Sequence, residues 1–379
     1  MRQARTEKPG GVRLGLLTNP ASDLGKGRKA DERIITLLRK KTKELGYRLR
    51  VLSAPDAATS LDLVRSALPD LDLLLVAGGD GIVHIAANAL SGSDLPVGII
   101  ACGSDNDFAR RLGLPIHEIE TSVDLLLEAW MQRSILPVDL LAVDPLPSDS
   151  GASDAFGASK ASNVSTASTE RVGGQRTVYV AGSLSCSIDA AINQRANRSP
   201  LPWGPLRYVQ AGVSEASHPL AYGFRLGLDA GGSEDGPDKP ATLSPETPLL
   251  LISNAQCIGS GIRISPYSSL QDGHLDLVWA KWMPSPLQAI RTLLRGYKGL
   301  HIHDRLIGWK RMKAVTIAAS GHGTEPPDLM GDGEMIGRLP VRVSCRPRAV
   351  RILFPLGLDD PEKNQKDGVQ TDGRHKDRI

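Results

Sequence analysis

Leu71-Asp-Leu-Leu-Leu-Val-Ala-Gly-Gly-Asp-Gly-Ile-Val-His-Ile85 is the stretch that decides the fold. Its first seven residues are almost continuously apolar, as expected of a parallel strand covered on both faces. Gly78-Gly-Asp-Gly81 interrupts the run, and Ile82 to Leu90 reads as a helix. Glycine has no Cβ, so a backbone built from it can approach an anion closely and adopt positive φ. The helix that follows aims unpaired N–H groups and the positive end of its dipole at the same point. Strand, glycine turn and helix together predict a phosphate-binding corner. Asp80 would repel a phosphate, but it fits the turn if it acts through a metal ion or on a proton. As a plain structural turn, the same residues would leave Asp80 as a helix cap.

Outward from this corner the pattern repeats. Val12 to Thr18 is a short apolar run ending at the turn pair Asn19-Pro20. Ile34, Ile35, Leu38 and Leu45 then recur at helical spacing, with Gly46 as a stop. Pro96 to Ile100 is another strand, and Ile119, Val123, Leu126 and Leu127 mark another helix. This alternation predicts an α/β fold whose N-terminal part, residues 1–136, is a doubly wound, Rossmann-like domain with ligands at the carboxyl ends of its strands. The second strand-to-helix crossing, Gly98 to Gly113, repeats the logic of the first. There Ser104 offers a hydroxyl, Asn106 an amide, and Asp107 a second carboxylate able to help hold a metal. Two such loops on consecutive strands can converge on one crevice.

Beyond Leu136 the crossover helices stop. Strand candidates at 138–143, 177–181, 221–228, 249–252 and 275–279 predict a largely antiparallel, β-rich C-terminal domain over 137–345. A strand within 346–358 is expected to return to the first domain. Residues 147–171 and 231–248 are poor in apolar side chains and read as disordered hairpin insertions, and 359–379 as a disordered tail. A helix carrying Leu287, Ile290, Leu294 and Tyr297 on one face reads as core. His301 and His303 read as ordinary loop or surface residues.

The 379 residues carry a formal charge of +3, too little to argue for nucleic acid. Four scattered cysteines without a CxxC pair read as reduced thiols of a cytoplasmic protein. The N-terminus has no apolar signal-peptide core, and no run reaches the roughly 18 apolar residues that span a bilayer. A lipid substrate would be met from the membrane surface.

Taken in order, Asn19-Pro20, Gly78-Gly-Asp-Gly81, Gly103-Ser-Asp-Asn-Asp-Phe-Ala-Arg110, Asp189-Ala-Ala with Arg195-Ala-Asn, Ile264-Ser-Pro with Asp272-Gly-His-Leu-Asp276, and Asp332-Gly-Glu334 resemble the diacylglycerol kinase catalytic-domain family. That family includes bacterial lipid kinases and sphingosine kinases. The resemblance runs from about residue 12 to 355. It implies a nucleotide site in a cleft between the two domains, with ATP and Mg²⁺ as cofactors. It also implies a membrane lipid such as diacylglycerol as acceptor, with peripheral contact to the membrane during turnover. A homodimer is compatible with it. Carried over by position, Asn19, Gly79, Asp80, Gly81, Ile82 (through its backbone), Ser104 and Asn106 would hold ATP, Ser104 standing where the family usually has Thr. Glu334 matches the general base of bacterial members, and Asp80 the residue given that role in sphingosine kinases. Asp272, with backbone carbonyls of Ser269 and His274, matches a structural Mg²⁺ loop.

The chain departs from the family in the first helical turn after the glycines. Ile82-Val-His-Ile85 replaces the usual Thr-x-x-Glu, so a hydroxyl and a carboxylate are missing. Gly182 to Ser187 replaces an Asn- and Gly-rich stretch, and Ala54 stands where a nucleotide-contacting Thr is common. Two other readings follow. One is a soluble-substrate kinase of the NAD kinase type; the other is a nucleotide- or lipid-binding regulator that has lost its chemistry.

Overall fold

The computed structural model describes residues 11–18, 27–54, 56–147, 171–172, 175–198, 210–212, 214–215, 220–229, 241–259 and 261–358. The chain divides into two units: one ends at Pro137 and regains Val350–Leu358, the other runs Val138–Ala349.

The first unit alternates β1 (Arg13–Thr18), α1 (Gly27–Glu44), β2 (Arg48–Ser53), α2 (Ala57–Ala67), β3 (Leu73–Gly78), α3 (Asp80–Leu90), β4 (Pro96–Ala101), α4 (Asp107–Arg111) and α5 (Ile119–Met131). The strands stand in the order β2-β1-β3-β4, all parallel. Residues Arg351 and Ile352 extend the sheet beside Pro96 and Val97, again parallel. On one face Ile34, Leu38, Val123 and Leu126 of α1 and α5 meet Leu14, Leu16, Leu73 and Leu75. Leu17, Leu74 and Val76 alternate onto the opposite face and are equally buried. Burial on both faces explains the continuous apolar run that the sequence shows. Register then levels the carboxyl ends of three strands: Thr18 lies beside Ala77, and Gly78 beside Ala101. The loops after β3 and β4 must therefore start side by side.

The second unit begins within β5 (Ile135–Pro145). It continues with β6 (Arg171–Val172), β7 (Gln175–Arg176), β8 (Val178–Val180), β9 (Ser183–Ser185), α6 (Ile188–Arg198), β10 (Tyr222–Asp229), β11 (Ala241–Leu243), β12 (Glu246–Thr247) and β13 (Leu250–Ser253). After these come β14 (Leu275–Ala280), α7 (Pro286–Gly296), β15 (Ile307–Met312), β16 (Ala314–Ala319), β17 (Leu329–Gly331), β18 (Glu334–Gly337) and β19 (Val341–Leu353). One sheet runs β15-β14-β13-β9-β17-β18 and is antiparallel throughout. Phe224, Leu226, Leu250, Ile252, Leu277, Val315 and Val343 form the core that it shares with β10, β16 and β19.

Three expectations are corrected. Residues 241–247 contribute β11 and β12, both paired with β10, because Leu226–Leu228 offers an edge to the first and Tyr222–Gly223 to the second; 231–240, 148–170 and 359–379 lie outside the described residues. His301 is 1% exposed, with Nε2 3.0 Å from the Ile264 carbonyl oxygen, so it is a core residue. The α7 stripe is not core at all: Leu287, Ile290, Leu294 and Tyr297 are 77%, 57%, 64% and 53% exposed. Only Gly296 of that helix is buried.

Candidate nucleotide and acceptor site

At the ends of β3 and β4 two glycines are in backbone contact. A Cβ on Gly103 would lie 2.4 Å from Gly79 Cα and N, and one on Gly79 2.4 Å from the Asp105 carbonyl oxygen. No other residue fits either position without moving backbone. The Asp80 N–H donates to that same Asp105 oxygen at 3.1 Å, and the Cys102 N–H to the Gly78 oxygen at 3.1 Å. Asp80 then closes the junction. Its carboxylate accepts the backbone N–H groups of Asp107 at 2.9 Å and Phe108 at 3.1 Å, the first two residues of α4. Those N–H groups have no partner inside their own helix, so a carboxylate there satisfies both and meets the positive dipole end. Asp80 is indeed a cap, but of α4 rather than of its own helix, whose N-cap is Gly79.

Asn106 is 2% exposed and folds its own loop: Oδ1 accepts the Gly103 N–H at 3.2 Å, and Nδ2 donates to the Gly103 oxygen at 2.8 Å. Asp107 is ion-paired with Arg110 at 2.8 Å. Ser104 is exposed at the tip of the loop, and Gly81 is half-buried. Gly79, Asp80, Gly81, Ser104, Asn106 and Asp107 are thus gathered at one junction, while Asn19 lies outside the described residues. Ile82 and Ile85 are each 6% exposed. Each contributes about 2 kcal/mol by burial, so the family's polar pair is replaced by core packing.

Asp31 of α1, which sequence reading passed over, is 7% exposed, and its Oδ2 has no hydrogen-bond partner among the described residues. Burial raises its pKa to about 6, a hydrogen bond with Thr18 opposing the shift. Burial, helped by the nearby Asp31 carboxylate, pushes the Cys102 thiol up to about 11. A lone Asp followed by Glu-Arg in an amphipathic helix gives no warning of this.

In the second unit, Glu334 opens β18 and is exposed. Asp332 at φ 52° and Gly333 at φ 84° make the tight β17–β18 turn. The Asp332 carboxylate accepts the N–H groups of Ala181 and Gly182, each at 2.8 Å. Asn197 Nδ2 donates to the Gly333 oxygen at 3.2 Å. Glu334 therefore projects from a hairpin pinned at its turn to β8–β9 and to α6.

The Asp272 loop, by contrast, already holds a cation. Arg311 lies 3.1 Å from Asp272 Oδ2 and 2.9 Å from Asp276 Oδ1, and donates also to the Tyr267 carbonyl. Asp272 Oδ1 accepts the His274 N–H at 2.9 Å, and His274 Nδ1 is 2.7 Å from the Asp272 carbonyl oxygen. Burial pushes Asp272 above the usual carboxylate range, with Arg311 partly reversing the shift. Ser269 is 6% exposed, its hydroxyl accepting the Gln271 N–H at 3.1 Å. Behind the loop, fully buried Asp139 accepts the N–H groups of Gly273 and Arg348, each at 2.7 Å. An Asp inside the apolar run 138–143 was the one visible sign of that hub. As it stands the loop does not fit a dication, since a guanidinium occupies the carboxylate. Among the described residues no group of three or more His, Cys, Asp or Glu side chains is arranged to hold a metal.

Comparison with known proteins places both units in known families. Residues 13–143 match the diacylglycerol kinase catalytic domain, and 182–354 the YegS C-terminal NAD kinase beta sandwich-like domain. The chain is 29% identical over 340 residues to the diacylglycerol kinase of Mycobacterium tuberculosis (strain ATCC 25618 / H37Rv), covering 89% of this chain and 94% of that protein. It is 23% identical over 351 residues to the diacylglycerol kinase of Bacillus subtilis (strain 168), covering 90% and 96%. A crystal structure of a diacylglycerol kinase from Bacillus anthracis str. Sterne has the same fold, with a TM-score of 0.61 at 18% identity over 92% of this chain and 99% of that one.

Proposed function

Because the chain belongs to the diacylglycerol kinase catalytic-domain family and is a kinase, we propose that it uses ATP and Mg²⁺ to phosphorylate a hydroxyl of diacylglycerol or a related lipid. The observation that carries this reading is the Gly79–Gly103 contact braced by Asp80. It brings two backbone loops to the level carboxyl ends of β3 and β4, where phosphates bind in doubly wound sheets.

Phosphoryl transfer asks mainly for alignment and charge neutralisation. In this reading the Gly81 N–H and the Ser104 hydroxyl meet the phosphates, while the Asp80 and Ile82 N–H groups, which donate to the Asp105 and Gly79 carbonyl oxygens at 3.1 Å each, hold the turn in shape. The lipid hydroxyl oxygen forms the new bond to the γ-phosphorus, the bond to the β-bridging oxygen breaks, and ADP leaves. The hydroxyl proton passes to the Glu334 carboxylate. Glu334 suits that role because it is exposed on a pinned hairpin, whereas both Asp80 oxygens accept backbone N–H groups. Asp80 is assigned to positioning. Mg²⁺, bound with the nucleotide, would supply charge neutralisation for the phosphates. The Asp272 loop, with Ser269 and His274, would accept such an ion only by giving up Arg311. Asp107 would contribute only by leaving Arg110.

The test is incubation of the full chain with radiolabelled ATP, Mg²⁺ and mixed micelles of diacylglycerol. Label in the lipid fraction, lost with EDTA, is the expected result. No product from a broad lipid panel with folded protein would overturn the reading. Turnover of NAD instead would transfer it to soluble substrates.

A further inference from the structure

Helix α7 exposes an apolar face that nothing described covers. Leu287, Ile290, Leu293, Leu294 and Tyr297 are all at least 49% exposed, and Trp282 and Met283 precede them at 43% and 37%. At 100° per residue the five helical side chains fall within an arc of roughly 120°. Arg291 and Lys298 follow on the next arc, both exposed. The opposite side seats Gly296 against the unit: its carbonyl accepts the Arg263 N–H at 3.0 Å. An eleven-residue helix with no apolar partner is marginal by itself. This one carries Pro286 in its first turn and a Ser285–Gln288 capping box that hold it folded while the face stays open.

Charge identifies the occupant. Residues 281–300 contain Lys281, Arg291, Arg295 and Lys298 and no acid. Two copies pairing through this face would bring like charges together, whereas an anionic surface meets the exposed Lys281, Arg291 and Lys298; Arg295 is already ion-paired with Asp304 at 3.1 Å. Trp282 and Tyr297 at the two ends of the face are the residues that settle at the boundary between headgroups and acyl chains.

We propose that α7, with Trp282 and Met283, is the element that seats this kinase on an anionic lipid bilayer. The helix lies in the plane of the interface, its leucines entering the acyl boundary and its basic arc meeting acidic headgroups. This deepens the lipid-kinase reading and rests on it.

The test is co-sedimentation of the full chain, without nucleotide or diacylglycerol, with vesicles of phosphatidylcholine alone or with phosphatidylglycerol added. Binding is expected only to the anionic vesicles, weakening with salt. It should fall about tenfold for each of Leu287→Ser and Leu294→Ser, solvent-exposed changes that leave the fold intact. Arg291→Glu should weaken it as well. Turnover of a dispersed short-chain diacylglycerol should be unchanged in all three variants. Wild-type protein that ignores anionic vesicles, or serine variants that bind as tightly as wild type, would overturn the proposal. So would light scattering in which the serine variants disperse a dimer while vesicle binding persists, since a second copy would then be the occupant. Absence of short-chain turnover in the wild type counts against the kinase reading alone and leaves the vesicle result standing.

Discussion

Asp80 and Asp107 stand 27 positions apart, and the carboxylate of the first accepts the backbone N–H of the second at 2.9 Å. Through that bond and its neighbour to Phe108, the turn after β3 holds the helix after β4. The two phosphate-type loops are therefore one mechanical unit. A change in either reaches the other.

Asp80→Asn keeps one acceptor where two are used. The loss of a charge-assisted bond should cost about 1–2 kcal/mol of stability. Misplacing donors around the phosphates should lower kcat/KM by roughly 100-fold. Thermal melting and steady-state kinetics read the two effects; wild-type values in both would remove Asp80 from the site.

Gly103→Ala places a methyl 2.4 Å from Gly79 backbone atoms. Overpacking strain of about 1–3 kcal/mol should weaken ATP binding by roughly 10- to 100-fold. Calorimetric titration measures it, and an unchanged Kd would mean that the loops separate without cost.

Glu334→Gln preserves size on an exposed hairpin position and removes the proton acceptor. It should lower kcat by about 10²- to 10⁴-fold while leaving ATP affinity intact. Near-normal kcat would send the base role elsewhere.

Asp31 holds its proton more tightly folded than unfolded, its pKa rising from 3.8 to about 6. Ionising it therefore opposes folding, and the stability linked to its protonated form is lost as pH rises from about 4 through 6. Asp31→Asn should remove this slope and raise stability at pH 7–8 by about 1–2 kcal/mol, less than the full shift implies because the buried amide gains new needs. Denaturation midpoints of both proteins across that range decide it; parallel curves would refute it.

Arg311→Met leaves Asp276, whose side chain is 2% exposed, without its cation. Arg311 is itself 33% exposed, which trims the expected loss to about 2–4 kcal/mol. Urea unfolding should show a lower midpoint, and recovery of that midpoint by added Mg²⁺ would reveal that the loop can take the ion in place of the guanidinium.

What the sequence determined by itself was local. The apolar run 71–77, the glycines at 78–81 and the small-residue loop at 103–107 report strand, turn and helix because each depends on neighbours a few positions away. The ordered motifs from Asn19 to Glu334 likewise carried the family resemblance, because each is a short run of neighbouring residues. Tertiary structure alone decided three things. It made Asp80 the cap of a different helix, gave the Asp272 carboxylate to Arg311, and left the α7 stripe facing outward. Helical spacing shows only that one side is apolar; whether protein covers that side depends on where the chain's distant parts end up. In the same way an acid's role follows from which donor reaches it and how much water remains, and both are properties of packing between segments remote in sequence.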